Sequence, residues 1–128
     1  TAGDQVIKME ADLIRGTVRD TDIVGRYRGN TFAVVLPHTD RQQARALAER
    51  LRERVERYPF TIEAGQVRTT ASIGLAAVSD TTVVSVPEWI MVGDVALNDA
   101  KAQGRNRVIL HAPKPPGVAC AIALSCAA

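Results

Sequence analysis

Aromatic side chains are scarce in this chain, with only two Phe, two Tyr and one Trp among 128 residues. A base-stacking platform for single-stranded nucleic acid is therefore excluded. No sign of charge dominates either: 16 basic residues face 14 acidic ones, mixed along the chain, for a net charge of +2. That balance excludes a nucleic-acid binder held by bulk charge. Cysteine is limited to Cys120 and Cys126, both in one apolar run. If the run is a strand, they stand roughly 20 Å apart, too far for a disulfide, so the composition suits a reducing compartment. The two histidines, His38 and His111, are isolated and have no partner at metal-ligand spacing. The longest apolar run, 117–128, falls well short of the roughly 20 residues of a membrane helix. The opening TAGDQVIK carries no secretory signal pattern, and no internal repeat is visible.

What is present is the make-up of one ordinary globular domain, 46% apolar and 23% charged, long enough to bury a core. Asp4 to Val18 has helical spacing, with Val6, Ile7, Leu13, Ile14 and Val18 on one stripe and Lys8, Glu10, Asp12 and Arg15 mostly off it. A second helix is predicted to start at a Thr39 or Asp40 cap and run to about Arg57. Its inner face is Ala44, Leu47, Ala48, Leu51 and Val55, and its outer face pairs Arg45 with Glu49, Arg52 with Glu56 and Glu53 with Arg57. Phe60 to Glu63 and Val67 to Val78 read as strands around a turn at Gly65. Ser85, Pro87 and Glu88 mark a third helix start, and Gly104 its stop. That helix buries some combination of Trp89, Ile90, Val92, Ala96 and Leu97. A short strand follows at Arg107 to Leu110.

Asp22 to Pro37 is the stretch on which the rest is arranged. Ile23, Val24 and Tyr27 favour one strand, and Phe32 to Leu36, apolar without alternation, favours a second that is covered on both faces. Arg28-Gly29-Asn30 between them supplies the turn. Helices alternating with hairpins imply an α/β (α+β) domain, with a sheet flanked by helices.

Several motifs, in order, resemble the GGDEF domain, the family that includes diguanylate cyclases. They are Gly3-Asp4, Arg19-Asp20-Thr21-Asp22 (the RxxD pattern), Gly25-Arg26-Tyr27, Phe32 to Pro37, Ala48 to Arg52, Ala71-Ser72-Ile73-Gly74 and Ala100 to Asn106. The resemblance runs from Gly3 to about Leu110. It implies a nucleotidyl cyclase, ferredoxin-like fold with an antiparallel-rich sheet, occupying residues 1–112. A proline-rich linker at 113–116 and an apolar tail at 117–128 follow.

The resemblance also implies site residues, and the departures from it matter. The family's signature turn holds a carboxylate in its fourth position for Mg²⁺. Here the turn reads Arg28-Gly29-Asn30-Thr31-Phe32, with a neutral hydroxyl at Thr31, a long cation at Arg28 and one fewer negative charge at Asn30. A hard dication wants carboxylate oxygen, so the expectation is a non-enzyme with no cofactor and the Mg²⁺ site lost. Asp4, Lys101 and Arg105 match GTP-contacting positions, and the last two, four apart, are expected to share a helix face. Arg19 and Asp22 match the family's inhibitory site for cyclic di-GMP, and Arg50 matches an arginine that often joins it. The family's central first strand would precede Thr1. The run 117–128 either fills that gap, in this chain or in a neighbouring copy, with Ser125 near a metal aspartate's place, or is a flexible tail.

The function implied is an inactive regulatory GGDEF-like domain that binds cyclic di-GMP in the bacterial cytoplasm. The alternative is a nucleotide-free dimerisation or interaction module, and a working cyclase comes third. Partners would be cyclic di-GMP, a second copy or a signalling domain, with no nucleic acid and no membrane segment.

Overall fold

The computed structural model describes residues 2–28, 30–78, 86–111 and 119–127. In chain order the elements are α1 (Ala2–Thr17), β1 (Ile23–Arg28), β2 (Thr31–Leu36), α2 (Arg41–Arg57), β3 (Phe60–Ile62), β4 (Gly65–Val67), β5 (Thr70–Val78), α3 (Val86–Ala102), β6 (Val108–His111) and β7 (Ala119–Ala127). Five strands make one mixed sheet in the order β1-β2-β7-β5-β6, and β3-β4 is a separate hairpin. β5 and β6 run parallel, and every other neighbouring pair is antiparallel.

The middle of the sheet is β7. It pairs with β2 from Leu36↔Cys120 to Thr31↔Ser125, and with β5 from Val78↔Ala119 to Thr70↔Ala127. Both of its edges are thus hydrogen-bonded, as an apolar strand without polar alternation requires. Its side chains divide by parity. Cys120, Ile122, Leu124 and Cys126 join the core of Phe32, Val34, Leu36, Ile73 and Leu75, with Ile14 of α1 and Ala44, Ala48, Leu51 and Val55 of α2. The opposite face is built from small residues. A Cβ added to Gly74 would lie 2.1 Å from the Gly93 carbonyl oxygen and 2.2 Å from the Leu97 nitrogen, so α3 rests almost directly on the backbone of β5.

Several expectations meet the structure differently. β2 lies inside the sheet between β1 and β7, but it is not fully covered on both faces: Phe32, Val34 and Leu36 are buried while Ala33 and Val35 are half-buried. The predicted strand Val67 to Val78 is broken at Arg68 and Thr69, because the chain leaves the β3-β4 hairpin there and enters the main sheet. Asp40, not Thr39, caps α2: its carboxylate accepts from the Gln43 N–H while the Gln43 side chain accepts from the Asp40 N–H, a reciprocal capping box. Of the predicted outer-face pairs on α2, Arg52–Glu56 is present at 3.9 Å. Arg45–Glu49 and Glu53–Arg57 are not made, because Arg52 draws Glu49 to 2.9 Å and Glu53 to 4.0 Å instead. Val92 is 37% exposed, and α3 buries Ala96, Leu97 and Ala100. The predicted cap at Ser85 and the side chains of Trp89 and Ile90 lie outside the described residues.

Candidate functional site

The pairing of three strands builds the corner beside the signature turn. Thr31 opposes Ser125, and Ser125 opposes Ser72, so the three hydroxyls stand in one row across β2, β7 and β5. All three residues are buried. Asn30 closes the row: its amide nitrogen donates to the Cys126 carbonyl at 3.0 Å, and its Oδ1 accepts from the Ser125 hydroxyl at 3.5 Å. Gly29 and the Arg28 side chain lie outside the described residues. The donors here are neutral hydroxyls and an amide already committed to the backbone. Such a set does not fit a hard dication, which needs carboxylates to offset its charge.

Ser72 leads on to the GRN segment. Its hydroxyl accepts from the Asn106 N–H at 3.2 Å. The Asn106 side chain also accepts from Arg52 at 3.1 Å and donates to the Glu56 carboxylate, so one residue ties α2, through its side chain, to the sheet, through its main-chain N–H. Gly104, Arg105 and Asn106 all have positive φ. The Arg105 N–H returns to the Ala100 carbonyl at 2.9 Å, closing the end of α3. Arg105 is therefore beyond the helix, and Lys101 and Arg105 do not share a helical face, contrary to the expectation from their spacing. Asp4 lies in the first turn of α1, which packs on the other side of the sheet from α3.

The RxxD pattern forms a closed turn. Asp22 Oδ2 accepts the Arg19 N–H at 2.9 Å, and the Asp22 N–H donates back to the Arg19 carbonyl at 3.0 Å. Arg19 Nη2 reaches Asp22 Oδ1 at 3.4 Å, the Pro37 carbonyl at 3.3 Å and the Thr39 hydroxyl. The Asp22 side chain is 0% exposed and that of Arg19 is 56% exposed, so the carboxylate serves the turn and the guanidinium still meets solvent. Arg19 and Arg50 line one cleft of about 290 Å³ with Thr17, Thr39, Gln43 and Leu47. The structure thus brings together two of the predicted ligand arginines. Thr39, buried and cradling Arg19, had no signal in the sequence beyond its nearness to a helix start.

Glu10 is the residue most at odds with the sequence. It is only 3% exposed, although its place was expected mostly off the apolar stripe. Burial raises its carboxyl above the usual carboxylate range, against the opposing pull of a hydrogen bond with Cys126. Burial first, then the facing Glu10, pushes the Cys126 thiol far up. Burial and the charge of Asp40 raise Cys120 to about 11. Neither thiol is a nucleophile near neutral pH.

Comparison with known proteins follows the same lines as the geometry. The family profile described as "Diguanylate cyclase, GGDEF domain" matches residues 1–107. The probable diguanylate cyclase DgcT of Escherichia coli is 38% identical over 111 residues, covering 85% of this chain and 24% of that protein. The response regulator PleD of Caulobacter vibrioides is 36% identical over 110 residues, covering 84% of this chain and 24% of its own length. The chain spans between about a quarter and a third of such relatives. Diguanylate cyclase SiaD from Pseudomonas aeruginosa, solved in complex with its activator SiaC, superposes with a TM-score of 0.76 at 28% identity. The match covers 84% of this chain and 41% of that one.

Proposed function

Because the chain belongs to the GGDEF family, we propose that it is a member without cyclase activity, acting as a regulatory domain that binds cyclic di-GMP. The observation that carries this reading is the cleft shared by Arg19 and Arg50. Guanidinium forks suit the phosphate and guanine acceptors of such a ligand, and the exposed side of Arg19 opens toward them. The loss of activity rests on the row Thr31, Ser125, Ser72. Joining two GTP molecules needs a metal to activate a hydroxyl and offset phosphate charge, and these hydroxyls are poor ligands for one. Asp4, Lys101 and Arg105 remain as vestigial GTP contacts in this reading. The setting would be the bacterial cytoplasm; among the described residues no helix is long and apolar enough to cross a membrane.

Calorimetry with cyclic di-GMP on the wild type, Arg19→Ala and Arg50→Ala tests the binding. Saturable heat in the wild type that weakens about tenfold or more in either variant is expected. Absence of heat from the wild type would remove the receptor reading. Incubation with GTP and Mg²⁺ tests the inactivity, and diguanylate product from the purified chain would overturn it.

A second reading, a nucleotide-free interaction module, is favoured by one observation. Asp22 is wholly engaged by Arg19, and Arg19 already has three acceptors within the chain. In that case the RxxD turn only braces the start of the hairpin, and the calorimetric signal will be absent.

A further inference from the structure

The carboxylates of α2 are drawn away from most of its arginines. Glu49, Glu53 and Glu56 all lie within 4.0 Å of Arg52, which turns toward Asn106 in the loop before β6. Among the described residues, no carboxylate pairs with Arg50, Arg54 or Arg57. These three follow one another at i, i+4 and i+7, so they form a single stripe of like charge on one face of the helix. The helix dipole favours Arg54 and Arg57 in the last turn, but it gives no comparable reason for Arg50 in the turn before.

The stripe is exposed to solvent and borders an open cleft. Arg50, Arg54 and Arg57 line a cleft of about 530 Å³ with Leu13 of α1, Glu53 and Tyr58, a size typical of small-molecule sites. Arg54 is steadied by its hydrogen bond to the Thr17 hydroxyl of α1 at 3.0 Å. Tyr58 is held by Phe60, with ring centroids 4.7 Å apart and planes at 53°, yet it remains 39% exposed. A fixed ring beside unpaired guanidinium forks suits a ligand that joins a flat base to phosphates.

We propose that this cleft binds a nucleoside di- or triphosphate, with the phosphates on Arg54 and Arg57 and the base against Tyr58. The site is distinct from the Arg19 cleft and meets it only at Arg50, which lines both. It stands whether or not cyclic di-GMP binds at Arg19.

Calorimetry on the full chain with ATP, GTP and pyrophosphate at low ionic strength tests the assignment. Saturable binding of both nucleotides, and weaker binding of pyrophosphate, is expected. The pair Arg54→Ala, Arg57→Ala should weaken nucleotide binding at least about tenfold. Tyr58→Ala should bring the nucleotides down to the pyrophosphate level and leave pyrophosphate unchanged. If the double alanine variant does not fold, Arg54→Lys with Arg57→Lys keeps the charge and removes the forks, and should weaken binding about threefold or more. No saturable heat from the wild type with any of the three ligands overturns the proposal. So does binding that survives replacement of Arg54 and Arg57, or that is lost in Arg19→Ala or Arg105→Ala instead, since the ligand then occupies another site. Equal affinity for pyrophosphate and nucleotides also overturns it, leaving a bare phosphate site.

Discussion

Glu10 falls three residues after Ile7 and four before Ile14, so the helical period puts it on the buried stripe despite its charge. The folded state holds its proton more tightly than the unfolded chain does, because burial raises its pKa above 4.5. Below about pH 4.5 both states carry the proton and the contribution to stability is complete. As pH rises toward and through the raised value, the unfolded chain loses its proton first, and that contribution falls. Urea titrations of the wild type between pH 4.5 and 8 should show this decline, and Glu10→Gln should flatten it. Equal slopes in the two proteins would mean that Glu10 ionises freely in the fold. Asn106 is the second residue with more structural weight than its letter suggests. It holds Arg52, Glu56 and Ser72 together at a positive φ of 47°. Asn106→Ala keeps the main-chain N–H bond to Ser72 but removes the side-chain bonds to Arg52 and Glu56, and it leaves a non-glycine, non-asparagine residue in the left-handed region, so a loss of about 2–3 kcal/mol is expected, read from the urea midpoint. The sequence displayed this asparagine within a family motif but not its role, because its partners lie 54, 50 and 34 residues away.

Contact between α3 and the sheet depends on two glycines that behave differently. A methyl at Gly74 would meet backbone atoms of Gly93 and Leu97 at 2.1 and 2.2 Å, whereas one at Gly93 would meet the Ala123 methyl at an ordinary 3.6 Å. Gly74→Ala should therefore lift α3 from β5 and cost about 3 kcal/mol or more. Gly93→Ala should be neutral, or stabilising by up to about 1 kcal/mol, through helix propensity. Thermal unfolding of the two variants checks the contrast, and similar losses in both would mean that α3 sits further from the sheet. At this scale much was legible in the sequence. The stripe Ala44, Ala48, Leu51, Val55 carries the helical period that buries α2, and the apolar run of β2 follows a turn rich in glycine and asparagine. The break between β4 and β5 was not legible, because Val67 and Thr70 are both good strand residues and only the different partners of β4 and β5 separate them. The site divides in the same way. Arg19 and Asp22 make a local turn that three-residue spacing announces, but the cleft between Arg19 and Arg50 needs α2 folded back beside α1.

For the molecule as a whole, β7 decides whether there is a sheet at all. It joins the β1-β2 pair to the β5-β6 pair, and it supplies Ile122 and Leu124, both essentially inaccessible, to the core beneath α1 and α2. Truncating either side chain to alanine should cost about 2–5 kcal/mol, a large part of the 5–15 kcal/mol typical of a domain. Removing the whole strand would also leave the facing backbone groups of β2 and β5 unpaired in an apolar interior. The strand is paired along both of its edges and so fixes the spacing between β2 and β5. A chain cut after His111 should then show no cooperative unfolding and poorly dispersed amide resonances. Adding a peptide of residues 117–128 at equal concentration should restore both, because the slot between β2 and β5 accepts the strand without a covalent link. A cut chain that unfolds cooperatively by itself would mean that β2 and β5 close on each other, and that β7 is an addition to the fold and not its centre.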